Sequence, residues 1–259
     1  ASDVYKRQVY ALLGGRARAD IPVCCVLTLR DDPARTVEEA LRFKQRGFTT
    51  YTVKVGKNVR QDVHNVAAVR EALGDDASLY VDANGSLNFD DALRLLHELA
   101  PYRIDGAEQP LAHWDLDGAA ALAARSPVAL LLDESIGSTH DLFGATQRRA
   151  ATGVQTKTAK NGGAWHIRQL WTLASAAGWR IRPGNHPSTS LATLSVAHLA
   201  TAWGGPLLEG PFAGGIDGEL AGDVVTQPVR LQGNRLALDD RPGWGVELDP
   251  DALERWRIA

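Results

Sequence analysis

Apolar positions along this chain fall into two spacings that take turns. Short, nearly continuous apolar runs are each followed by a longer stretch in which apolar residues return every three or four positions. Runs of the first kind fit strands buried on both faces, and stretches of the second kind fit helices with one face on a core. "IPVCCVLTL" leads to "TVEEALRFKQRG", "TYTVKV" to "VRQDVHNVAAVREALG", and "SLYVDA" to "NFDDALRLLHELA". "IDGAEQP" leads to "DLDGAAALAARS", "PVALLLDES" to "THDLFGATQRRAA", and "GVQTKTAK" to "AWHIRQLWTLASAAG". "WRIRPG" with "SLATLSVAHLATAW" and a last run, "PLLEGP", complete eight strand candidates, the first seven each followed by a helix. Strict alternation predicts a parallel sheet with helices outside it. The fold class is α/β, and at 259 residues the chain has the length of a (β/α)-barrel of the TIM type.

Polar residues stand near the C-terminal ends of five successive strand candidates: Lys54, Asp82, Glu108, Asp133 and Lys157, at intervals of 28, 26, 25 and 24 residues. That interval is one βα unit per step, and in a barrel such ends share one mouth. The barrel is expected over residues 9–229. Residues 230–259 carry a hairpin-like turn at Gly233-Asn234 and a short helix, which does not fit another βα unit. This segment is expected to fold over the barrel or return toward another piece of protein. The opening "ASDVYKRQ", residues 1–8, is polar and patternless, unlike a signal or transit peptide, and is set aside as a leader foreign to the fold. With no methionine in the chain, we expect a fragment whose native sequence continues before Val9.

Composition changes this picture little. A net charge of −3 gives no footprint for nucleic acid or an anionic membrane, and no apolar run reaches membrane-spanning length. Adjacent Cys24 and Cys25 sit inside a strand-like run and read as small core residues of a protein in a reducing, cytoplasmic compartment.

Chemistry enters with the strand-end series. Asp82, Glu108 and Asp133 on three consecutive strands gather more negative charge than one site holds without protons or a cation. All-oxygen ligands suit a hard ion, Mg²⁺ or Mn²⁺. Lys54 and Lys157 flank them, and a lysine desolvated beside a divalent cation is expected to have a lowered pKa and to serve as general base or acid. The combination suits removal of a proton α to the carboxylate of a small substrate.

"TVKVG", "VDANG", "AEQP", "LDES" and "TKTAKNGG", in this order and at these gaps, resemble the enolase superfamily, most closely its muconate lactonizing enzyme subgroup. "VYALLGG" is similar to that family's lead into the barrel, and "PGWGVELD" to its C-terminal return. The resemblance implies that Asp82, Glu108 and Asp133 are metal ligands and that Lys54 and Lys157 work on opposite faces of the substrate. It implies that Asn84 and Glu134 line or support the mouth, that Lys160 is an outer neighbour, and that Gly162-Gly163 allow a sharp turn into the next helix. It also implies an enzyme, either a muconate-type cycloisomerase, an N-acyl amino acid racemase or dipeptide epimerase, or an o-succinylbenzoate synthase, with a homo-oligomer in keeping with the family's multimers. Two departures stand out. Thr52 replaces the first lysine of the family's Lys-x-Lys, so Lys54 is expected to be a less acidic ammonium. The family's N-terminal capping domain is missing, which leaves open a barrel that binds metal or a partner without turnover. Two residues stay open: His186, in "GNHPSTS", as substrate contact or loop structure, and Glu209, ending the eighth strand candidate, as substrate ligand, support for the lysines, or a structural ion pair.

Overall fold

The computed structural model describes residues 6–28, 30–211 and 220–257. Residues 1–5 of the leader, and Leu29 at the end of the first strand candidate, lie outside the described residues. A short helix α1 (Val9–Leu12) leads into β1 (Asp20–Leu27), α2 (Pro33–Gln45), β2 (Thr50–Lys54) and α3 (Val59–Leu73). There follow β3 (Ser78–Asp82), α4 (Phe89–Leu99), β4 (Gly106–Glu108), α5 (Leu116–Ala123), β5 (Leu130–Leu132) and α6 (Thr139–Arg148). The unit β6 (Gly153–Lys157), α7 (Ala164–Ala176), β7 (Arg180–Gly184), α8 (Ser190–Ala202) and β8 (Gly210–Pro211) completes the alternation. The tail adds β9 (Arg235–Ala237) and α9 (Pro250–Arg255).

The strands run in the order β7-β6-β5-β4-β3-β2-β1-β8, all parallel, so consecutive βα units are neighbours as in a barrel. Among the described residues the curve closes between β7 and β8 by two backbone bonds: Leu208 N–H donates to Ile181 O at 2.8 Å, and Asn185 N–H to Pro211 O at 3.1 Å. Between them lies Pro183, which has no N–H to give. Gly210 faces it so closely that a Cβ there would run into the Pro183 carbonyl. The barrel is therefore nearly closed, with a thin seam.

Local sequence explains the elements. β2 is buried along its length except at Lys54, and β6 is buried throughout, as strands between helices and barrel interior should be. Helices begin at side-chain caps: Asn58 on α3, Asn88 on α4, Asp115 on α5, and a Ser138–Asp141 capping box on α6. In α4, Ala92, Leu95, Leu96 and Leu99 form the buried stripe. Removing each leucine from water contributes about 1.5–3 kcal/mol. Gly162 and Gly163 take φ of 73° and 94°, which provides the predicted turn into α7.

The predicted turn at Gly233-Asn234 is present, closed by mutual Gln232 and Arg235 backbone bonds. Its second arm, β9, pairs antiparallel with the first residues of β1, Ile21 opposite Leu236. The tail thus completes the end of the barrel away from the mouth. Gln8, grouped in sequence with the leader, is buried and bridges Gly243 of the tail. His198 of α8 stacks on Tyr10 and meets Trp244 edge-on, so α1, α8 and the tail share one aromatic joint.

Two measurements check this packing. Leu236 is fully buried, and Leu236→Ala should lower unfolding free energy by about 2–5 kcal/mol in urea titration, as for a core residue. Burial holds the His198 imidazole below its ordinary 6.5. The unfolded chain therefore binds the extra proton first, and stability present above pH 6.5 is lost as pH falls below it. The thermal midpoint should drop on acidification through this window, and His198→Gln should flatten that part of the curve.

Candidate active site

Strand register brings the predicted residues together. Lys54 pairs in the ladder with Asp82, and Asp82 with Glu108, so these three share one level at the C-terminal ends of β2, β3 and β4. Asp133 follows β5 directly, and Lys157 ends β6. Exposure is 4% for Asp82, 2% for Glu108, 0% for Asp133 and 8% for Lys157, so the charges sit in the neck of the mouth rather than on its rim.

Each carboxylate is turned onto a cation. Lys54 Nζ donates to Asp82 Oδ2 at 2.5 Å and to Asn84 Oδ1 at 2.6 Å. Asn84 Nδ2 in turn donates to Glu134 Oε1 at 2.9 Å, which strings the exposed mouth residues together. Lys157 Nζ donates to Asp133 Oδ2. Lys160, expected as an outer neighbour, reaches the same carboxylate, with Nζ 2.7 Å from Oδ1. That approach lacks hydrogen-bond geometry, so Oδ1 is buried without a hydrogen bond, while Nζ donates instead to the Asp133 and Gln155 carbonyls at 2.5 and 3.1 Å.

Glu108 has a partner that the sequence did not announce. Arg182, fully buried on β7, donates from Nη1 to Glu108 Oε2 at 2.9 Å and from Nη2 to Thr52 Oγ1 at 2.7 Å. The Thr52 hydroxyl, which stands where the family has a lysine, therefore receives a cation from another strand of the barrel. Two further side chains hold the backbone of the mouth. Gln109 Oε1 accepts from the Asp133 and Ser135 N–H groups at 2.9 and 3.1 Å. Asn161 Oδ1 accepts from Lys157 N–H at 2.9 Å, and its Nδ2 donates to Ile136 O at 2.8 Å.

The electrostatics follow from this crowding. Burial and then the Asp82 charge push the Glu108 carboxyl up to about 8, against the pull of Arg182. For Asp133 burial pushes upward, but Lys160 and Lys157 outweigh it and hold the carboxyl below its usual range. Lys157 is pulled both ways. Burial lowers it, yet contact with Asp133 and the nearby Glu108 prevail, so the ammonium is held above its ordinary value. Lys160 is lowered, because burial exceeds the help from Asp133. His186 is exposed in the loop after β7; its partial desolvation and the Lys157 charge lower its pKa, which places it by the same mouth. Glu209 does not end the eighth strand: β8 is only Gly210–Pro211, and Glu209 precedes it, its carbonyl accepting from Arg182 Nε at 3.0 Å. Cys24 and Cys25 are buried, as core residues should be.

Among the described residues no three carboxylate, histidine or cysteine side chains converge as they stand to hold a metal. The donor set nonetheless fits a hard cation. Three buried carboxylates end consecutive strands, Asp133 Oδ1 lacks a hydrogen bond, and Asp82 raises Glu108 by like-charge repulsion.

Known proteins give the context. Residues 35–252 match the family described as enolase C-terminal domain-like. N-succinyl-L-Arg/Lys racemase of Bacillus cereus is 32% identical over 255 residues, and muconate cycloisomerase 1 of Pseudomonas putida 33% over 255. Both alignments cover 96% of this chain and 66% of the relative, so the chain spans about two thirds of their length. Muconate lactonizing enzyme from Pseudomonas putida superposes with a TM-score of 0.90 at 31% identity, covering 98% of this chain and 70% of that one. N-succinyl Arg/Lys racemase from Bacillus cereus gives 0.91 at 28% identity, covering 100% and 69%. With barrel order, strand-end series and similarity in agreement, the chain belongs to the enolase C-terminal domain-like family, with muconate cycloisomerases among its relatives, as its five motifs led us to expect.

Proposed function

We propose that this chain is the reaction barrel of a divalent-metal-dependent enzyme that forms an enolate from a small carboxylate substrate by lysine-mediated proton transfer. The observation that carries the reading is the placing of Lys54 and Lys157 on either flank of Asp82, Glu108 and Asp133 in one buried neck. Asp82, Glu108 and Asp133 would hold Mg²⁺ or Mn²⁺, and the bound cation would supply stabilisation for the negative charge that develops on the substrate carboxylate. Lys157 moves the proton at the carbon α to that carboxylate. Lys54, on the other face, either carries a second proton or remains an ammonium that offsets the growing charge. Asn84 and Glu134 keep Lys54 in place, and His186 and Glu209 are candidates for contact with the rest of the substrate.

The leading net reaction is muconate-type cycloisomerisation. An internal carboxylate oxygen forms a bond to one end of a conjugated double bond, the π pair moves to the α-carbon as an enolate, and a lysine delivers its proton there. Similarity at about the same level to an N-succinyl amino acid racemase supports a second reading. In it, one lysine takes the α-proton and the opposite lysine returns one. Dehydration of the o-succinylbenzoate synthase type uses the same first step. With this proposal goes a cytoplasmic homo-oligomer that acts on small carboxylates. Among the described residues no helix is long and apolar enough to cross a membrane.

Calorimetry with Mn²⁺ tests the carboxylate site. The parent should bind, and Asp82→Asn and Asp133→Asn should lose binding while circular dichroism shows a retained barrel; binding that survives both changes defeats the metal reading. Proton NMR in D₂O then separates the reactions. Deuterium entering the α-carbon of recovered N-acyl amino acid marks racemase chemistry, whereas lactone formation from a conjugated diacid marks the cycloisomerase. In either case Lys157→Ala should slow turnover by about 10²–10⁴-fold, the usual contribution of a positioned acid or base.

A further inference from the structure

Arg182 is a buried cation with no place in the strand-end series, and its reach is unusual. From β7 it crosses the barrel interior to residues on β1, β2, β3 and β4. Nη2 donates to Thr52 Oγ1 at 2.7 Å and lies 3.2 Å from Cys24 Sγ; Nη1 holds Glu108 Oε2 at 2.9 Å. The guanidinium carbon stands 4.2 Å over the Tyr80 ring, and Nε donates to the Glu209 carbonyl at 3.0 Å. A planar fork engaged on both arms and stacked on a ring has one orientation. The surroundings are shaped to admit it. Gly106 carries no side chain where the Tyr80 ring lies, and Thr52 is short enough to leave the guanidinium its space. A lysine at position 52 would direct a second cation at Arg182.

We propose that Arg182 is a positioning residue for the carboxylate site: it fixes Glu108 by one oxygen so that the other is presented to a metal in the mouth, and Thr52 is its matched seat. This rests on the metal reading given above. Arg182 touches neither substrate nor metal; it acts through Glu108. The arrangement moves the charge that the second strand lacks to the seventh, and it aims that charge at a ligand rather than at Lys54.

The test compares Mn²⁺ affinity, read by calorimetry and by the electron paramagnetic resonance of free Mn²⁺, with the thermal midpoint of metal-free protein. Arg182→Lys keeps the charge but loses the fork, and should weaken Mn²⁺ binding by about tenfold to hundredfold, the range for partners that orient a ligand. Arg70→Lys is the structural control. Arg70 is also buried, but its bonds go to the Tyr102, Arg103, Gly74 and Ala77 carbonyls, away from the site. It should lower the thermal midpoint and leave Mn²⁺ affinity as in the parent. If Arg182→Lys does not fold, Thr52→Val removes one anchor of the fork at nearly constant volume, and should weaken Mn²⁺ binding severalfold. Parental affinity in Arg182→Lys, or in Thr52→Val where that variant stands in for it, overturns the proposal. So does weakening by Arg70→Lys equal to that by Arg182→Lys, since loss of stability would then explain both. A parent that binds no Mn²⁺ overturns the functional reading first and this one with it, which keeps the two failures distinct.

Discussion

The structure depends on how a barrel neck can hold Asp82, Glu108 and Asp133 nearly out of water. Carboxylates this close repel, and burial penalises each charge separately. The chain meets the problem by giving every carboxylate its own cation, drawn from a different part of the sequence: Lys54 for Asp82, Arg182 for Glu108, and Lys157 with Lys160 for Asp133. Such pairs are not a source of stability in themselves, because desolvation offsets most of the attraction. Their value lies in position, since each holds its carboxylate at a fixed place in the neck.

That arrangement explains features elsewhere in the fold that packing alone does not. Gln109 has φ of 36°, an uncommon conformation for a side chain of its size. Its amide oxygen nevertheless collects two N–H groups beside Asp133 and so fixes where that carboxylate leaves its strand. Asn84, at φ of 46°, makes a sharp bend just past β3 and spans Lys54 and Glu134. Both of these bends are held in place by side-chain hydrogen bonds across the mouth.

Much of this was readable from the chain. Apolar runs separated by amphipathic stretches fixed the order of elements, and the polar residue ending each run marked the inward, C-terminal position of its strand. The residues that escaped notice share a cause. Arg182 lies in "WRIRPG", where an Arg-Ile-Arg alternation looks like any half-exposed strand. Its parity with Gly184 places it inward, but its partners lie 74 and 130 residues away. Lys160 was read from its place after the strand, whereas the loop turns it back onto Asp133. The direction of the Lys157 shift depends on its own contact with Asp133, which no spacing reveals. Glu209 was assigned to a longer final strand than the close approach of Gly210 to Pro183 produces.

The thin seam between β7 and β8 divides the barrel mechanically. The arc from β2 to β6, which carries the carboxylates and lysines, is a continuous ladder, whereas the seam is fastened by two backbone bonds around a proline. Opening free energies within one fold follow such differences in fastening. The seam is therefore the more lightly fastened side of the sheet, and the loop bearing His186 follows β7 on that flank. Arg182 spans that division, since it stands on β7 yet holds Glu108 on β4, so the charged arc is braced from the more lightly fastened flank.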